Sequence, residues 1–336
     1  MKHYFELRNP LSLVRKMLLL LIGSALFTNA SAQYDIRIVA PPGAEFTQTF
    51  AINNGGDIAG GANPGINNFA FTYDIKNDFY ITLDNTMDIL DINDAGRQVG
   101  STDDGCAYRD KDGNILMVSP PSFVAGNPCQ LRGVNAQGQM SGFMIDDTGT
   151  WRGFTHDTKK DTFEEFLPSF QTIAHAINAK GQVAGSVFLD ADVVAPGAVA
   201  GRYGFVRDKK GNLATFSVNE GLAGFTRARG ISESGLITGF YTDLNGFELK
   251  SFVTSLSGNS GHEEITLESD QIIFQKPCNP DTPAAPSADY QLFTSMTSSQ
   301  VRNDGAVVGS CSDTYFNPLT GDVINYGYGW LATPSK

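Results

Sequence analysis

The fold is decided by the stretch Ile177-Asn178-Ala179-Lys180-Gly181-Gln182-Val183-Ala184-Gly185, which recurs in six versions along the chain. Each version has an apolar residue, a polar turn, a glycine and, four residues later, a second glycine. Their starts lie 40 to 70 residues apart. The six copies span 52–60, 92–100, 134–142, 177–185, 231–239 and 301–309. Such a period indicates a repeat architecture.

Each copy has the residue chemistry of short antiparallel strands. Asn and Gly adopt the positive φ values that tight hairpin turns require. A second hairpin signal follows, with an aromatic strand such as Gly204–Asp208 and a turn such as 209–212. The flanking residues are rich in Val, Ile, Phe and Tyr, which favour strands. We therefore expect about four strands, a to d, in each copy.

A four-stranded unit with this period predicts an all-β fold, a six-bladed β-propeller. A linear β-solenoid or an array of separate β-domains is the alternative. The sixth copy stops at its third strand, 328–332, whereas an extra strand-like segment, 34–42, precedes the first copy. We expect this N-terminal strand to complete the last blade and close the ring, which also removes exposed sheet edges.

The Ile-Asn-x-x-Gly-x-Val-x-Gly string followed by an aromatic strand resembles the bacterial extracellular HAF repeats. The resemblance covers essentially all of 33–336, although the His of that family's name is absent, its nearest counterparts being Phe69-Ala70-Phe71 and Gly204-Phe205. It implies an exported, propeller-like protein and transfers no activity.

The first 32 residues have the pattern of a signal peptide. Basic residues precede an apolar run, 17–27, and Ala30-Ser31-Ala32 follows as a cleavage pattern. The run is shorter than a membrane-spanning helix, so an uncleaved anchor is the less favoured alternative. We expect a single domain, 33–336, that is secreted or periplasmic and has no transmembrane segment after cleavage.

The four cysteines suit an exported protein. An even number in such a chain indicates disulfides. We predict the pairs nearest in sequence, Cys106–Cys129 and Cys278–Cys311, with buried free thiols as the alternative. No Cys/His cluster indicates a structural metal.

Variable loops on one face of the ring are the predicted binding surface, because loops on a rigid scaffold carry function. An acidic residue recurs there, where it could form a ring that holds Ca²⁺ or a cationic ligand; the alternative is that Asp merely suits turns. The candidate ligand-binding residues are Asp103, Asp146, Asp190, Asp243, Asp313, Tyr241 and Tyr315, with Phe143 and Phe188 as further aromatic residues.

The sequence favours recognition over catalysis. The net charge of −12 disfavours nucleic acid, and no nucleophile, zinc or phosphate-loop motif occurs. We expect a non-catalytic recognition or structural propeller at the cell envelope that binds a glycan, peptide or protein. The alternative is a hydrolase or lyase acting on polysaccharide or peptide. Its acidic doublets would be Glu164-Glu165 and Glu263-Glu264, and the histidines after residue 32 are His156, His175 and His262.

Overall fold

The computed structural model describes residues 34–63, 69–83, 86–166, 170–190, 199–218, 221–243, 249–255 and 287–335. Within these ranges the regular structure consists of strands. The first two copies contribute β2 (Phe46–Ile52), β3 (Asp57–Asn63), β4 (Phe69–Asp74), β5 (Phe79–Thr82), β6 (Asp88–Ile92), β7 (Gln98–Thr102), β8 (Gly105–Arg109) and β9 (Ile115–Met117), and β1 (Tyr34–Val39) precedes them.

The third and fourth copies follow the same order. They contribute β10 (Cys129–Val134), β11 (Gln139–Ile145), β12 (Trp151–Asp157), β13 (Thr162–Glu165), β14 (Thr172–Ile177), β15 (Val183–Leu189), β16 (Gly201–Arg207) and β17 (Leu213–Phe216). The last two copies contribute β18 (Gly221–Ile231), β19 (Leu236–Asp243), β20 (Leu249–Ser255), β21 (Gln291–Val301), β22 (Val307–Phe316) and β23 (Val323–Pro334).

Consecutive strands pair antiparallel within each copy, as the repeat predicts. The second and third copies are isolated four-stranded sheets, β6–β9 and β10–β13. Two larger sheets, of seven and eight strands, arise where neighbouring copies touch through a single parallel residue pair, Arg202↔Phe225 and Phe46↔Gly327. The all-β, propeller-like fold is thus confirmed.

The N-terminal strand lies where the sequence predicts it. β1 pairs antiparallel with β23, with Ile36 opposite Ala332 and Val39 opposite Gly329. It therefore supplies the fourth strand that the last copy lacks. β23 is longer than the predicted 328–332, because β22 and β23 continue to pair as far as Phe316 and Val323.

The motif asparagines join neighbouring copies. The Asn135 side chain caps its own turn, where Oδ1 accepts from the backbone N of Gln139 at 2.9 Å, and it also reaches the next copy, where Nδ2 donates to the carbonyl of Asn178 at 2.9 Å. The same inter-copy bond runs from Asn53 to Asn93, from Asn93 to Asn135 and from Asn178 to Ser232. The turns of five successive copies are thereby tied in series.

The two glycines of the motif are required for different physical reasons. Gly181 adopts a φ of 74°, in the left-handed region that its turn requires. Gly185 has no room for a side chain, because an added Cβ would lie 2.3 Å from the carbonyl oxygen of Ile173 and 2.4 Å from Phe205 Cζ. The strand-c aromatic ring therefore packs across the second glycine, which explains why the two signals occur together in the sequence.

The predicted disulfide Cys106–Cys129 is present and links β8 to β10, so it joins two neighbouring copies. Both cysteines are buried in one hydrophobic cluster with Leu131 and Met140. The second predicted pair includes Cys278, which lies outside the described residues, as do 1–32 and Glu263-Glu264. These remain predictions.

Replacing Asn135 tests whether the asparagine bond between copies stabilises the fold. Asn135→Ala leaves the backbone N–H groups of Gln137 and Gln139 without their acceptor, and it removes one of the two hydrogen bonds to the Asn178 carbonyl. A buried unpaired group costs about 1–3 kcal/mol. We expect the free energy of unfolding, measured by urea denaturation, to fall by about 3 kcal/mol.

Asn135→Ser separates the two roles of the side chain, because the equivalent residue Ser232 caps its own turn by accepting from the backbone N of Leu236 at 3.0 Å. It should therefore lose less stability than Asn135→Ala. The control is Gln137→Ala, at an exposed position of the same turn. If Asn135→Ala loses no more stability than this control, the asparagine bond does not hold neighbouring copies together.

Candidate functional site

The central feature of the site is an irregularity repeated in all six innermost strands. In each one the pairing register with the second strand shifts by one residue, as in a β-bulge, two residues before the motif's apolar residue. Bulges commonly redirect a side chain near functional sites. The bulged residues are Phe50, Leu90, Arg132, His175, Arg229 and Ser299.

These six bulged residues line one small cavity together. They come from six different copies, so the cavity marks the place where the innermost strands converge. We call it the central channel. One part of its wall is apolar (Phe50 and Leu90), and another is basic (Arg132, His175 and Arg229).

Further arginines extend the basic part. Arg227 lies two residues before Arg229 on β18. Arg202 is the second residue of β16, the third strand of the fourth copy, and lies opposite Phe225. We call Arg132, Arg202, Arg227 and Arg229 the arginine cluster. Arg132 Nη2 donates to Gln130 Oε1 at 2.6 Å, a neutral partner. Within the described ranges, none of the four arginines forms an ion pair.

Burial and mutual repulsion lower the pKa values of the basic groups in this cluster. Burial, followed by repulsion from Arg132 and Arg227, lowers the pKa of Arg229 to about 9. Burial and Arg227 lower the pKa of Arg132 to about 10. Burial and all four arginines lower the pKa of His175 well below 6.5, so this imidazole is neutral at pH 7. The arginines remain charged at neutral pH and repel one another.

Unpaired polar atoms accompany these charges. Arg132 Nε, Arg202 Nη1 and His175 Nδ1 are buried and have no hydrogen-bond partner among the described residues. His175 Nε2 lies 3.5 Å from the Ser186 hydroxyl. Because buried polar groups are normally paired, the cluster has unused capacity to donate hydrogen bonds.

Aromatic rings hold the arginine cluster in place. Phe143 and Trp151 stack with their centroids 4.8 Å apart. Arg132 lies over Phe143, at 5.3 Å from its centroid, and Arg202 lies over Trp151, at 5.6 Å. Such cation–π contacts orient guanidinium groups without neutralising them.

At the end of the channel beside the asparagine turns, Asp91 and Gln300 line a second small cavity. The Asp91 carboxylate accepts from the backbone N of Val134 at 2.7 Å and from that of Ile92 at 2.9 Å. The Gln300 side chain also donates to it, although β6 and β21 belong to copies that are not neighbours in the chain. A side-chain contact therefore crosses the channel at this end.

A wider cavity of about 710 Å³ lies beside the apolar part of the channel. It is formed by the first two copies, and Phe50 and Leu90 line both it and the channel. Its other side-chain lining includes Phe46, Gln48, Phe69, Met87 and Asp88. Asp88 is exposed and is the one carboxylate among these described lining residues.

The five predicted aspartates lie in different environments. Asp146 is buried and caps its own turn. It accepts from the Thr148 hydroxyl at 2.6 Å and from the backbone N of Thr150 and Thr148 at 2.9 Å, and it pairs with Arg152 at 2.7 Å; these contacts hold its pKa well below the usual range. Asp313 is fully buried inside β22, which extends past the predicted loop.

Asp103 and Asp190 are exposed at strand ends, and Asp243 ends β19 opposite Gly221. The carboxylates thus do not share one environment, and their role in binding stays a prediction.

The two predicted tyrosines are buried, and their role in binding stays a prediction. Tyr241 is buried in a hydrophobic cluster with Phe216 and Phe252. Tyr315 is buried and meets Tyr326 edge-on, with centroids 6.3 Å apart; burial, then Asp313, raises its pKa. Phe188 is 37% exposed, beside Arg202 in the pairing of β15 with β16.

The other candidate residues lie away from the channel. His156 stacks on Phe163, with centroids 4.2 Å apart, and its Nε2 lies 3.1 Å from Asp161. Glu164 pairs with Arg207, and Glu165 accepts hydrogen bonds from Ser122. In the part of the chain that the structure describes, no three His, Cys, Asp or Glu side chains are grouped to hold a metal ion. No helix in these ranges is long and apolar enough to cross a membrane.

Comparison with known proteins gives likeness of fold alone. No protein family model matches the chain, and no curated protein sequence matches it. A luciferin-regenerating enzyme matches 89% of this chain and 95% of its own at 13% identity and a TM-score of 0.44. A subtype N11 neuraminidase-like protein of A/flat-faced bat/Peru/033/2010 matches 91% of this chain and 94% of its own, at 10% identity and a TM-score of 0.42. An oligogalacturonate lyase in complex with manganese matches 92% of this chain and 96% of its own, at 12% identity and a TM-score of 0.41. We draw no functional conclusion from likeness at these levels.

The Asp91 carboxyl predicts a specific pH dependence of stability. Burial raises its pKa from 3.8 to about 7 in the folded protein, against the lowering effect of its hydrogen bonds. Between about pH 4 and pH 7 the folded state therefore binds more protons at this site than the unfolded state. The contribution of Asp91 to the free energy of unfolding should fall by about 1.4 kcal/mol per pH unit as the pH rises through this window, and then level off.

Urea denaturation at pH 5, 6 and 8 measures this effect. Asp91→Asn should become more stable relative to the unmodified protein as the pH rises, whereas Asp103→Asn, at an exposed position, should keep a constant difference. Parallel pH profiles for the unmodified protein and Asp91→Asn would show that the carboxyl does not titrate in this window.

Proposed function

We propose that this chain is an exported, closed six-bladed β-propeller of the HAF-repeat kind that binds an anionic ligand in its central channel. It acts as a recognition module at the cell envelope, and the bound group is an oxyanion such as the carboxylate of a glycan, peptide or small molecule. The observation that carries the proposal is the arginine cluster, which has no carboxylate partner within the described ranges in a chain of net charge −12.

The cluster has the chemistry of an anion site. Guanidinium groups offer several donors in a fixed plane and bind carboxylates and other oxyanions with charge-assisted hydrogen bonds. A bound anion would offset the mutual repulsion of Arg132, Arg227 and Arg229 and would satisfy the unpaired Arg132 Nε and His175 Nδ1. Without an anion, no opposite charge among the described residues offsets the cost of burying these guanidinium groups.

The proposed closed ring of six copies fits this function. The cavity takes one side chain from each of six strands, and the first and last copies meet through β2. There the Thr49 hydroxyl donates to the carbonyls of Gly309 and Trp330, the latter at 3.2 Å. A closed ring holds bulged residues from distant copies at fixed positions around one axis, which preorganises the site.

The observations favour binding over catalysis. An acid–base hydrolase needs two groups that converge on a substrate. Apart from the arginines, the titratable groups of the described residues include His175 in the channel, Asp91 beside the asparagine turns and Asp88 in the wider cavity, and these three line different cavities. The anion-binding proposal therefore needs no reacting pair.

Sulfate as a probe anion tests the proposal by thermal unfolding. We expect sulfate to raise the melting temperature saturably, and by several degrees more than sodium chloride at equal ionic strength, because an anion that binds only the folded state stabilises it by about 2.7 kcal/mol at 100 times its Kd. Arg229→Gln should abolish this shift, and its melting temperature without sulfate should be no lower than that of the unmodified protein, since an unpaired buried charge is removed.

Arg227→Gln provides a second, independent variant. The matched control is Arg37→Gln, because Arg37 is exposed and also lies over an aromatic ring, at 5.3 Å from the centroid of Tyr73. Arg37→Gln should keep the full sulfate shift. An equal effect of sulfate and chloride on the unmodified protein, or a full shift in both channel variants, contradicts the proposal.

A further inference from the structure

The wall of the channel has two chemically different parts. Phe50 and Leu90 stand beside Arg132, His175 and Arg229 around one small cavity, and the same two apolar side chains also line the 710 Å³ cavity. The apolar recess and the arginine-lined cavity are therefore adjacent and share these two side chains.

The recess is suited to an apolar group. Phe46, Phe69 and Met87 add to Phe50 and Leu90, and they come from β2, β4, β6 and the residue before β6. Binding sites for small molecules are typically concave and mostly apolar, with few polar groups to fix orientation. Here Gln48 and the exposed Asp88 are the polar side chains of the recess, apart from Asn63 at the end of β3.

Asp88 adds a charge criterion. Asp88 lines the recess, whereas Arg132 and Arg229 line the small cavity. A ligand that carries a second negative charge at its far end would meet like charge there, which disfavours binding. The recess thus selects against dianions of the same length.

Because Phe50 and Leu90 line both cavities, we infer that the ligand is a small amphipathic carboxylate. Its charged end binds the arginine cluster, and its alkyl chain fills the recess lined by Phe46, Phe50, Phe69, Met87 and Leu90. The inference rests on the proposed anion site and names its ligand class. The apolar chain supplies affinity through burial, and the carboxylate supplies orientation.

Isothermal titration calorimetry at constant ionic strength with acetate, hexanoate, octanoate and suberate tests the inference. Each fully buried methylene contributes about 0.8 kcal/mol, which is about a four-fold change in Kd. We expect octanoate to bind at least 50-fold more tightly than acetate, with hexanoate between them. Suberate, which has the same length and a second carboxylate, should bind at least ten-fold more weakly than octanoate, and octylammonium should not bind.

Two variants place the alkyl chain. Phe46→Gln and Phe69→Gln should each weaken octanoate binding about ten-fold and keep the sulfate shift in melting temperature, since both side chains line the recess and neither lines the channel. The control is Leu319→Gln, at a side chain that is 79% exposed on the turn between β22 and β23. It should bind octanoate like the unmodified protein.

The outcomes separate this inference from the proposed function. A sulfate shift together with equal affinities for acetate and octanoate overturns the amphipathic ligand and leaves the anion site standing. Octanoate binding that both recess variants leave unchanged, or octylammonium binding as tight as octanoate, also overturns it. Absence of the sulfate shift overturns the anion site itself, and this inference with it.

Discussion

The asparagine side chain that starts the turn in the first four copies is the interaction on which the rest of the structure depends. Asn135 holds its own turn through Oδ1 and reaches the backbone of the next copy through Nδ2. Repetition of this bond sets the spacing of the innermost strands at one end of the channel. Where it ends, at Ser232, other polar contacts between copies take over, such as the buried hydrogen bond from Thr238 to Ser298 at 2.7 Å.

Because the innermost strands are held in place, the bulged residues on them have fixed positions. A bulge adds one residue that the neighbouring strand does not pair, and that residue is free to vary without changing the repeat. The six bulged positions hold two apolar residues, two arginines, a histidine and a serine around the same cavity. Under the proposed function, architecture and specificity are separated within the repeat: the turn residues and the glycines build the fold, and the bulged residue selects the ligand.

Much of the fold could be predicted because its signals are local. The Asn-x-x-Gly turn, the strand pairing of each copy, the N-terminal strand beside β23 and Cys106–Cys129 all follow from short patterns or from counting strands. The arginine cluster could not be found in this way, because its members come from three different copies and occupy no common sequence string. Aligning the six copies on the motif, and then comparing the residue two positions before its start, would have placed Arg132, His175 and Arg229 together.

The predicted ring of aspartates shows the opposite limit. Spacing after the second glycine put Asp146 and Asp313 in the same class, yet one caps a tight turn and the other is buried inside a strand that continues to Phe316. Spacing alone does not reveal where a strand ends or which hydrogen bonds a carboxylate makes. The charge that the channel presents is therefore basic, although the chain as a whole is acidic.

Anomalous diffraction from crystals of this protein soaked in bromide tests the central claim most directly, because bromide reports where an anion binds without assuming the natural ligand. The account predicts a bromide peak in the central channel, in contact with the guanidinium groups of Arg132, Arg227 and Arg229. Bromide confined to exposed surface residues, or a side-chain carboxylate already paired with these arginines, would contradict it.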